Sequence, residues 1–257
     1  MIVSFLSLAI TGMSLKFSYT GWASFLARAL GGFESAGYIH RVAAVTMFGI
    51  FITHIVDLIR RKRQEFGTWK AMLGGSHTML PTREDWRDLV ASVKWFLNRG
   101  PRPPFGRWTY WEKFDYFAVF WGVFIIGATG LMLWFSEFFT LFVPGWFINV
   151  ATIIHSDEAL LAVGFIFTVH FFNTHLRPEK FPMDLVIFTG YIPLDEFKEE
   201  RPREYAELVK SGKLEDLFVV PYPSIVLRTV KIFGWTALSL GFAIIVMIIY
   251  AMVFAYQ

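Results

Sequence analysis

Between Ile154 and His175 the chain places two histidines, His155 and His170, fifteen residues apart in a run apolar enough and long enough to be a membrane helix. At about 1.5 Å and 100° per residue, fifteen steps separate the side chains by roughly 22 Å along the axis and about 60° around it. Both therefore face nearly the same side at different depths. A second run, Tyr38 to Ile59, carries His40 and His54 fourteen residues apart, which corresponds to about 21 Å and about 40°. If the two helices run parallel, His40 comes level with His155 and His54 with His170, giving two sites of two imidazoles each.

The rest of the composition says what such sites can hold. The 257 residues are 55% hydrophobic and 19% aromatic, with a mean hydropathy of +0.48, far from a soluble domain and close to a polytopic membrane protein. There is no cysteine, which excludes disulfides, iron–sulfur clusters, thiolate ligands and covalent c-type haem. Two non-covalent b-type haems, each with its iron between two imidazoles, fit the spacing and this exclusion together. No basic segment precedes the first apolar run, so a cleavable signal is not expected. Nothing points to nucleic acid; the extended partner of such a chain is membrane lipid.

Five spans are expected. The first, Ile2 to about Leu15, is short for a hydrocarbon core that needs about 20 residues; either its start sits at a thinned interface or the protein begins upstream of Met1. In the connector that follows, Gly21 to Leu30 reads as an interfacial helix or as an ordinary packed loop. The second span, about Tyr38 to Ile59, stops at Arg60-Arg61-Lys62-Arg63. The segment from Arg60 to Lys113 holds twelve Lys or Arg against five Asp or Glu, so the positive-inside rule makes it cytoplasmic. Within it, Pro81-Thr82-Arg83-Glu84-Asp85 reads as a helix start with Thr82 as N-cap, followed by an amphipathic surface helix ending before Arg99-Gly100-Pro101. The third span, about Tyr116 to Phe138, carries Gly122, Gly127 and Gly130, which allow close approach of a helix or of a flat macrocycle. No charge lies between Phe138 and Ile154, as expected of an outer loop. The fourth span, about Phe147 to His175, ends at Arg177 and Lys180, inside. Spans two and four are thus parallel by loop charge alone. Residues 177–231 hold nine basic and ten acidic residues and include a charged surface helix interrupted at Pro202 and ending near Gly212. The last span is about Ile232 to Tyr256. The N-terminus is expected inside and the C-terminus outside, with no internal repeat.

Ionisable residues are rare in membrane helices and tend to mark function; four histidines at matched spacings in parallel spans read as ligands. By α-helical geometry His175 lies about 140° around from His170 and faces elsewhere, where it serves a quinone, a haem propionate or only the interface. His77 reads as a solvated loop residue. Arg41 is placed to pair with a haem propionate or to anchor the interface. Asp157 and Glu158, beside His155, read as solvated interfacial residues, or else as acceptors for its ring nitrogen or carriers in proton movement. Two other classes compete: a transporter or structural anchor whose histidines relay protons or pack, and a histidine-cluster di-metal oxygenase, for which six histidines are few.

Leu8-Ala9-Ile10-Thr11-Gly12, Tyr38-Ile39-His40, Gly106 to Lys113 with Phe117 to Phe135, and Ile154-His155 with His170 together resemble the dihaem cytochrome b subunit of membrane-bound formate dehydrogenases and nickel–iron hydrogenases. The resemblance covers about Met1 to Leu176. The paired spacings also resemble the cytochrome b of quinol:cytochrome c oxidoreductases. These resemblances imply that His40 and His155 bind an outer haem, that His170 binds an inner haem, and that a quinone site lies beside the inner haem, with Thr109, Glu112, Lys113 and His175 in its region. Thr109 and Glu112 replace amides of the dehydrogenase family. That family takes the second inner ligand from a first-span position that would fall upstream of Met1; either His54 replaces it, the reading preferred, or the chain lacks its start.

The expected protein is therefore an all-α integral membrane protein: a four-helix haem-binding bundle (1–176, with the loop 60–113), a cytoplasmic segment (177–231) and one additional C-terminal transmembrane helix (232–257). It would sit in the bacterial cytoplasmic membrane as the electron-transfer subunit of an oxidoreductase complex. Through two haem b groups it would exchange electrons between menaquinone or ubiquinone and an outer-face partner: a multihaem cytochrome c, an iron–sulfur subunit, or a molybdenum or hydrogenase module.

Overall fold

The structure, a computed structural model, describes residues 1–75, 78–178, 180–181 and 183–255; His77 lies outside them. The fold is all-α, 77% helical, and has no strand among the described residues. Four helical stretches, Phe33–Phe66, Tyr110–Trp134, Trp146–Leu176 and Ser224–Phe254, are long and apolar enough to cross a membrane, which makes this a multi-pass membrane architecture. The chain divides into two compact bodies, one of Met1–Ile55, Phe120–Asp184 and Lys231 onward, the other of Val56–Val119 and Leu185–Val230.

The first body begins with α1 (Ile2–Lys16). Its hydroxyls are tolerated in an apolar helix because they bond back to the preceding turn, Thr11 to the Ser7 carbonyl at 2.6 Å and Ser14 to that of Ile10 at 2.7 Å. Thr20 then caps α2 (Gly21–Ala29), whose Ala23 and Ala27 are fully buried where α2 lies against α1. Gly31 and Gly32, with φ of +92° and +105°, turn the chain into α3 (Phe33–Arg61); a side chain at either would be strained. Next, α6 (Tyr110–Trp134) ends sooner than the sequence pattern indicates. Phe135 leaves helical geometry at ψ 44°, and Ser136–Phe139 forms a separate turn of helix, α7, rather than the end of the span.

The first of the five expected spans is the 15-residue α1, shorter than these four stretches, and Trp146–Leu176, the expected fourth span, is not a uniform α-helix. It opens as α8 (Trp146–Phe165) and continues through two π-helical stretches, Ile166–His170 and Phe172–Leu176. Against this wider stretch packs α12 (Ser224–Phe254), which buries the stripe Gly234, Leu238, Gly241, Ile244, Ile248 and Ala251, the three- and four-residue spacing of one helix face. Phe167 is 1% exposed and meets Phe5 of α1 edge-on at 5.7 Å. A Cβ at Gly241 would stand 2.5 Å from Phe167 and 2.7 Å from Phe171.

The second body contains α4 (Trp69–Gly74), α5 (Arg83–Phe96), the start of α6, α9 (Val186–Thr189), α10 (Leu194–Glu200) and α11 (Pro202–Ser211). The charged helix does break at Pro202, and it closes on Gly212 in the left-handed conformation, φ 68°. The N-cap expected at Thr82 is present: its amide and hydroxyl both donate to the Asp85 carboxylate, at 2.6 and 2.8 Å. In α5 the polar side faces inward, with Asp85, Asp88 and Ser92 buried, and Trp86, Val90, Val93 and Phe96 are exposed.

The seat of Phe167 yields a first expectation. Because that ring is enclosed it cannot swing aside, and Gly241→Ala is expected to destabilise the first body by about 1–3 kcal/mol through overpacking. Thermal unfolding in detergent checks it. An unchanged midpoint would mean that α12 does not bear on α8 this closely.

Candidate functional site

His40 of α3 and His155 of α8 meet with ring centroids 6.2 Å apart and planes at 75°. Each ring is held from behind by a different helix. His40 Nδ1 lies 2.9 Å from Thr11 Oγ1 of α1. The Thr11 proton is committed to the Ser7 carbonyl at 2.6 Å, so its oxygen can only accept, and His40 must carry its proton on Nδ1. His155 Nδ1 lies 2.9 Å from the Ile126 carbonyl oxygen of α6, an atom that can only accept; His155 too is the Nδ1–H tautomer. Both rings therefore keep a lone pair on Nε2, the state in which a histidine with an anchored Nδ1–H ligates a metal.

Two glycines shape the seats. A Cβ at Gly12 would lie 3.2 Å from His40 Cε1, and one at Gly130 would lie 3.0 Å from His155 Cε1. Thr11-Gly12 in α1 and Thr129-Gly130 in α6 thus do corresponding work. Thr129 Oγ1 also approaches His155 Nδ1, at 3.3 Å, while bonding back to the Ile125 carbonyl at 2.7 Å. Of the three glycines of the third span, Gly130 abuts an imidazole, and Gly127 abuts Phe48 of α3, whose ring lies 2.7 Å from where a Cβ would stand; Gly122 meets only Ile126 of its own helix. The repeated Thr-Gly dipeptide is the available sequence signal for these seats, but its role depends on which helix lies behind each histidine.

Around this pair the charges have partners. The Arg41 guanidinium stands over the rings of Tyr38 and Trp134, at 5.8 and 5.5 Å. Lys16, in the last turn of α1, bonds Asp157 at 2.9 Å and Ser156 at 3.0 Å, tying α1 to α8, and Trp121 donates to Glu158 at 3.3 Å.

At the other level the contacts are of another kind. His54 packs edge-on against Phe120, centroids 6.1 Å apart, with Phe51 on the same ring at 5.1 Å. His170 closes one π-helical stretch and His175 lies in the next. The expectation that His175 faces away from His170 rests on α-helical winding and does not hold. In π geometry a turn closes on the fifth residue, which brings position 175 back toward the side of position 170. His175 is nine-tenths buried beside Phe171, and its Nδ1 has no hydrogen-bond partner among the described residues.

Thr109, Glu112 and Lys113 belong to the second body, and each has a structural partner. The Glu112 carboxylate accepts from the amide and hydroxyl of Thr109, both at 2.8 Å, capping α6, and is gripped by both terminal nitrogens of Arg201, at 2.6 and 3.0 Å. Lys113 is buried against Asp85 at 2.8 Å. Arg203 reaches Asp88 at 3.1 Å and Glu84 at 3.3 Å, and Arg107 bonds the buried Glu204 at 2.7 Å. The chain's two charge-rich segments are thereby locked together.

Compared with protein-family models, with curated proteins and with solved structures, the chain matches none. Function therefore has to be argued from the site. Among the described residues no three or more His, Asp or Glu side chains converge as a metal-ion site; the two-imidazole pair is the arrangement that the fold offers.

The buried ion pair generates a prediction with a sign. Burial by itself would raise the Asp85 carboxyl, but the bonds from Lys113 and Thr82 outweigh it and hold Asp85 below the ordinary carboxylate value. Its contribution to stability is present above that value and is lost as pH falls through the lowered one. Asp88 has the opposite sign: burial raises it against the pull of Arg203, so its cost at neutral pH is relieved on acidification. Lys113→Ala leaves Asp85 buried without its cation and is expected to lower hydrogen-exchange protection of α5 by about 3 kcal/mol. Asp85→Asn is expected to remove the destabilising part of the acid limb. Unchanged protection in Lys113→Ala would sink this account of the pair.

Proposed function

We propose that the chain is a b-type cytochrome of a cytoplasmic membrane, passing electrons between a quinone pool on the side of its basic loops and a redox partner on the opposite face. The observation that carries this reading is the His40–His155 pair. With a metal–nitrogen bond of about 2 Å and roughly 1 Å from nitrogen to ring centre, two imidazoles on opposite sides of one iron have centroids about 6 Å apart; the pair stands at 6.2 Å. Edge-to-face packing alone produces similar separations. What favours ligation is that both Nδ1–H groups are tied down and both Nε2 lone pairs are left over.

His40 and His155 would hold one haem b, with Gly12 and Gly130 keeping the ligand rings unobstructed and Arg41 available to a propionate. His54 and His170 are the ligands proposed for a second haem, with His175 beside it, at the level where a quinone would be bound. When bound, haem supplies one-electron reduction and oxidation at its iron. The protein's part is to fix tautomer and ring orientation, to exclude water with apolar spans, and to set the sites at two depths. The partner on the outer face would be a multihaem cytochrome c, an iron–sulfur subunit, or a molybdenum or hydrogenase module.

The reading is tested by a dithionite-reduced minus oxidised spectrum of the purified protein with haem counted per chain. Two haems are expected in the wild type and one in each of His40→Ala, His155→Ala and His54→Ala. The first two variants should lose the same spectral component and the third the other. A colourless wild type purified from haem-replete cells overturns the proposal.

A further inference from the structure

The two imidazoles of the pair lean on acceptors of different kinds. His155 donates to a backbone carbonyl, which no side-chain substitution removes. His40 donates to a hydroxyl, and that hydroxyl is itself polarised by its short bond to the Ser7 carbonyl, 2.6 Å. The result is a relay, from His40 Nδ1–H to Thr11 Oγ1–H to the Ser7 carbonyl, in which each bond strengthens the next. Thr11 is 1% exposed, so no solvent competes for its hydroxyl.

We propose that Thr11 is a positioning residue that sets the electron affinity of the His40/His155 site; the inference rests on the cytochrome reading above. An acceptor on Nδ1–H makes the opposite nitrogen a stronger donor to a metal. A stronger donor favours ferric over ferrous iron and lowers the potential for the one-electron reduction. Without the Thr11 oxygen, the His40 N–H loses its 2.9 Å acceptor and is left with the Leu8 carbonyl of the same helix. Its Nε2 becomes the weaker donor, and the iron becomes easier to reduce. Thr129 occupies the corresponding place on α6 but matters less. Its oxygen is 3.3 Å from His155 Nδ1, and the Ile126 carbonyl keeps the His155 proton whether or not Thr129 is present.

The test is a redox titration of the intact protein in detergent, with dithionite supplying electrons through mediators and the absorption of each haem followed separately. Thr11→Val, which replaces the hydroxyl by a methyl of similar size, is expected to raise the midpoint of the component lost in His40→Ala. The other component should stay in place. Thr11→Ser is expected to restore the wild-type value, and Thr129→Val to shift the midpoint less than Thr11→Val does. Thr11→Ala provides a second removal of the oxygen, with the same upward direction. An unchanged or lowered midpoint in either removal variant, a Thr129→Val shift as large as that of Thr11→Val, or loss of the haem in both removal variants overturns the role of Thr11 while leaving the cytochrome reading intact. Absence of haem from the wild type overturns that reading, and this inference falls with it.

Discussion

An imidazole inside a hydrocarbon-facing helix bundle has two nitrogens to satisfy and no water with which to do so. At His40 and His155 the fold meets this constraint by placing a neighbouring helix behind each ring and giving its Nδ1–H a fixed acceptor. Much of the first body follows from that requirement. The α1 helix supplies Thr11 and Gly12 to α3, and α6 supplies Ile126, Thr129 and Gly130 to α8. The helices thus work as two pairs, each of a supporting helix and a histidine-bearing one, and the histidine-bearing members face each other. Since Ile126 and Thr11 fix which nitrogen carries the proton, the chemistry left at the centre of the pair is that of two lone pairs.

The C-terminal half of the Trp146–Leu176 stretch is built on a different principle. Two π-helical stretches widen the turn just where His170 and His175 occur, and π geometry gains its altered side-chain placement at the expense of good helical packing. Part of the compensation comes from α12, whose Gly241 lets Phe167 and Phe171 press directly on its backbone. A wholly α-helical span would turn His175 away from His170. The additional helix is therefore tied to the histidine side of the bundle through the two phenylalanines, although it carries no histidine itself.

Much of this layout is legible in the sequence. Apolar length announces the four long helices, Pro202, Gly212 and the Thr82 N-cap punctuate the charged helices as their chemistry requires, and helical spacing brings His40 to His155. Other features depend on tertiary contacts that a linear pattern does not carry. Nothing local marks residues 166–176 as π-helical, and so α-helical winding gives the wrong azimuth for His175. Glu112 and Lys113 enter a pocket region only through the family resemblance of the segment that precedes the third span; their partners, Arg201 and Asp85, lie 89 and 28 residues away. The Thr-Gly dipeptides at 11–12 and 129–130 are visible to the eye, but a dipeptide acquires meaning only when a histidine from another helix is known to rest on it.

The second body explains how a chain with so apolar a bundle can carry two dense runs of charge. The excess cations of the first segment meet acids of both segments: Lys113 finds Asp85 within its own and Arg107 finds Glu204 in the other. In the reverse direction Arg201 and Arg203 reach back to Glu112, Asp88 and Glu84. An exposed ion pair adds little stability, but several of these side chains are buried, and a buried charge without its partner is costly. The net charge of each segment is therefore a poor guide to its surface, because the charges that matter most are turned inward. On α5 the carboxylates of Asp85 and Asp88 are turned inward, while Trp86 and Phe96 are exposed beside Arg83, Glu84, Arg87 and Lys94. With Asp85, Asp88 and Ser92 satisfied inside the body, the helix presents Trp86, Val90, Val93 and Phe96 outward together with its remaining charges.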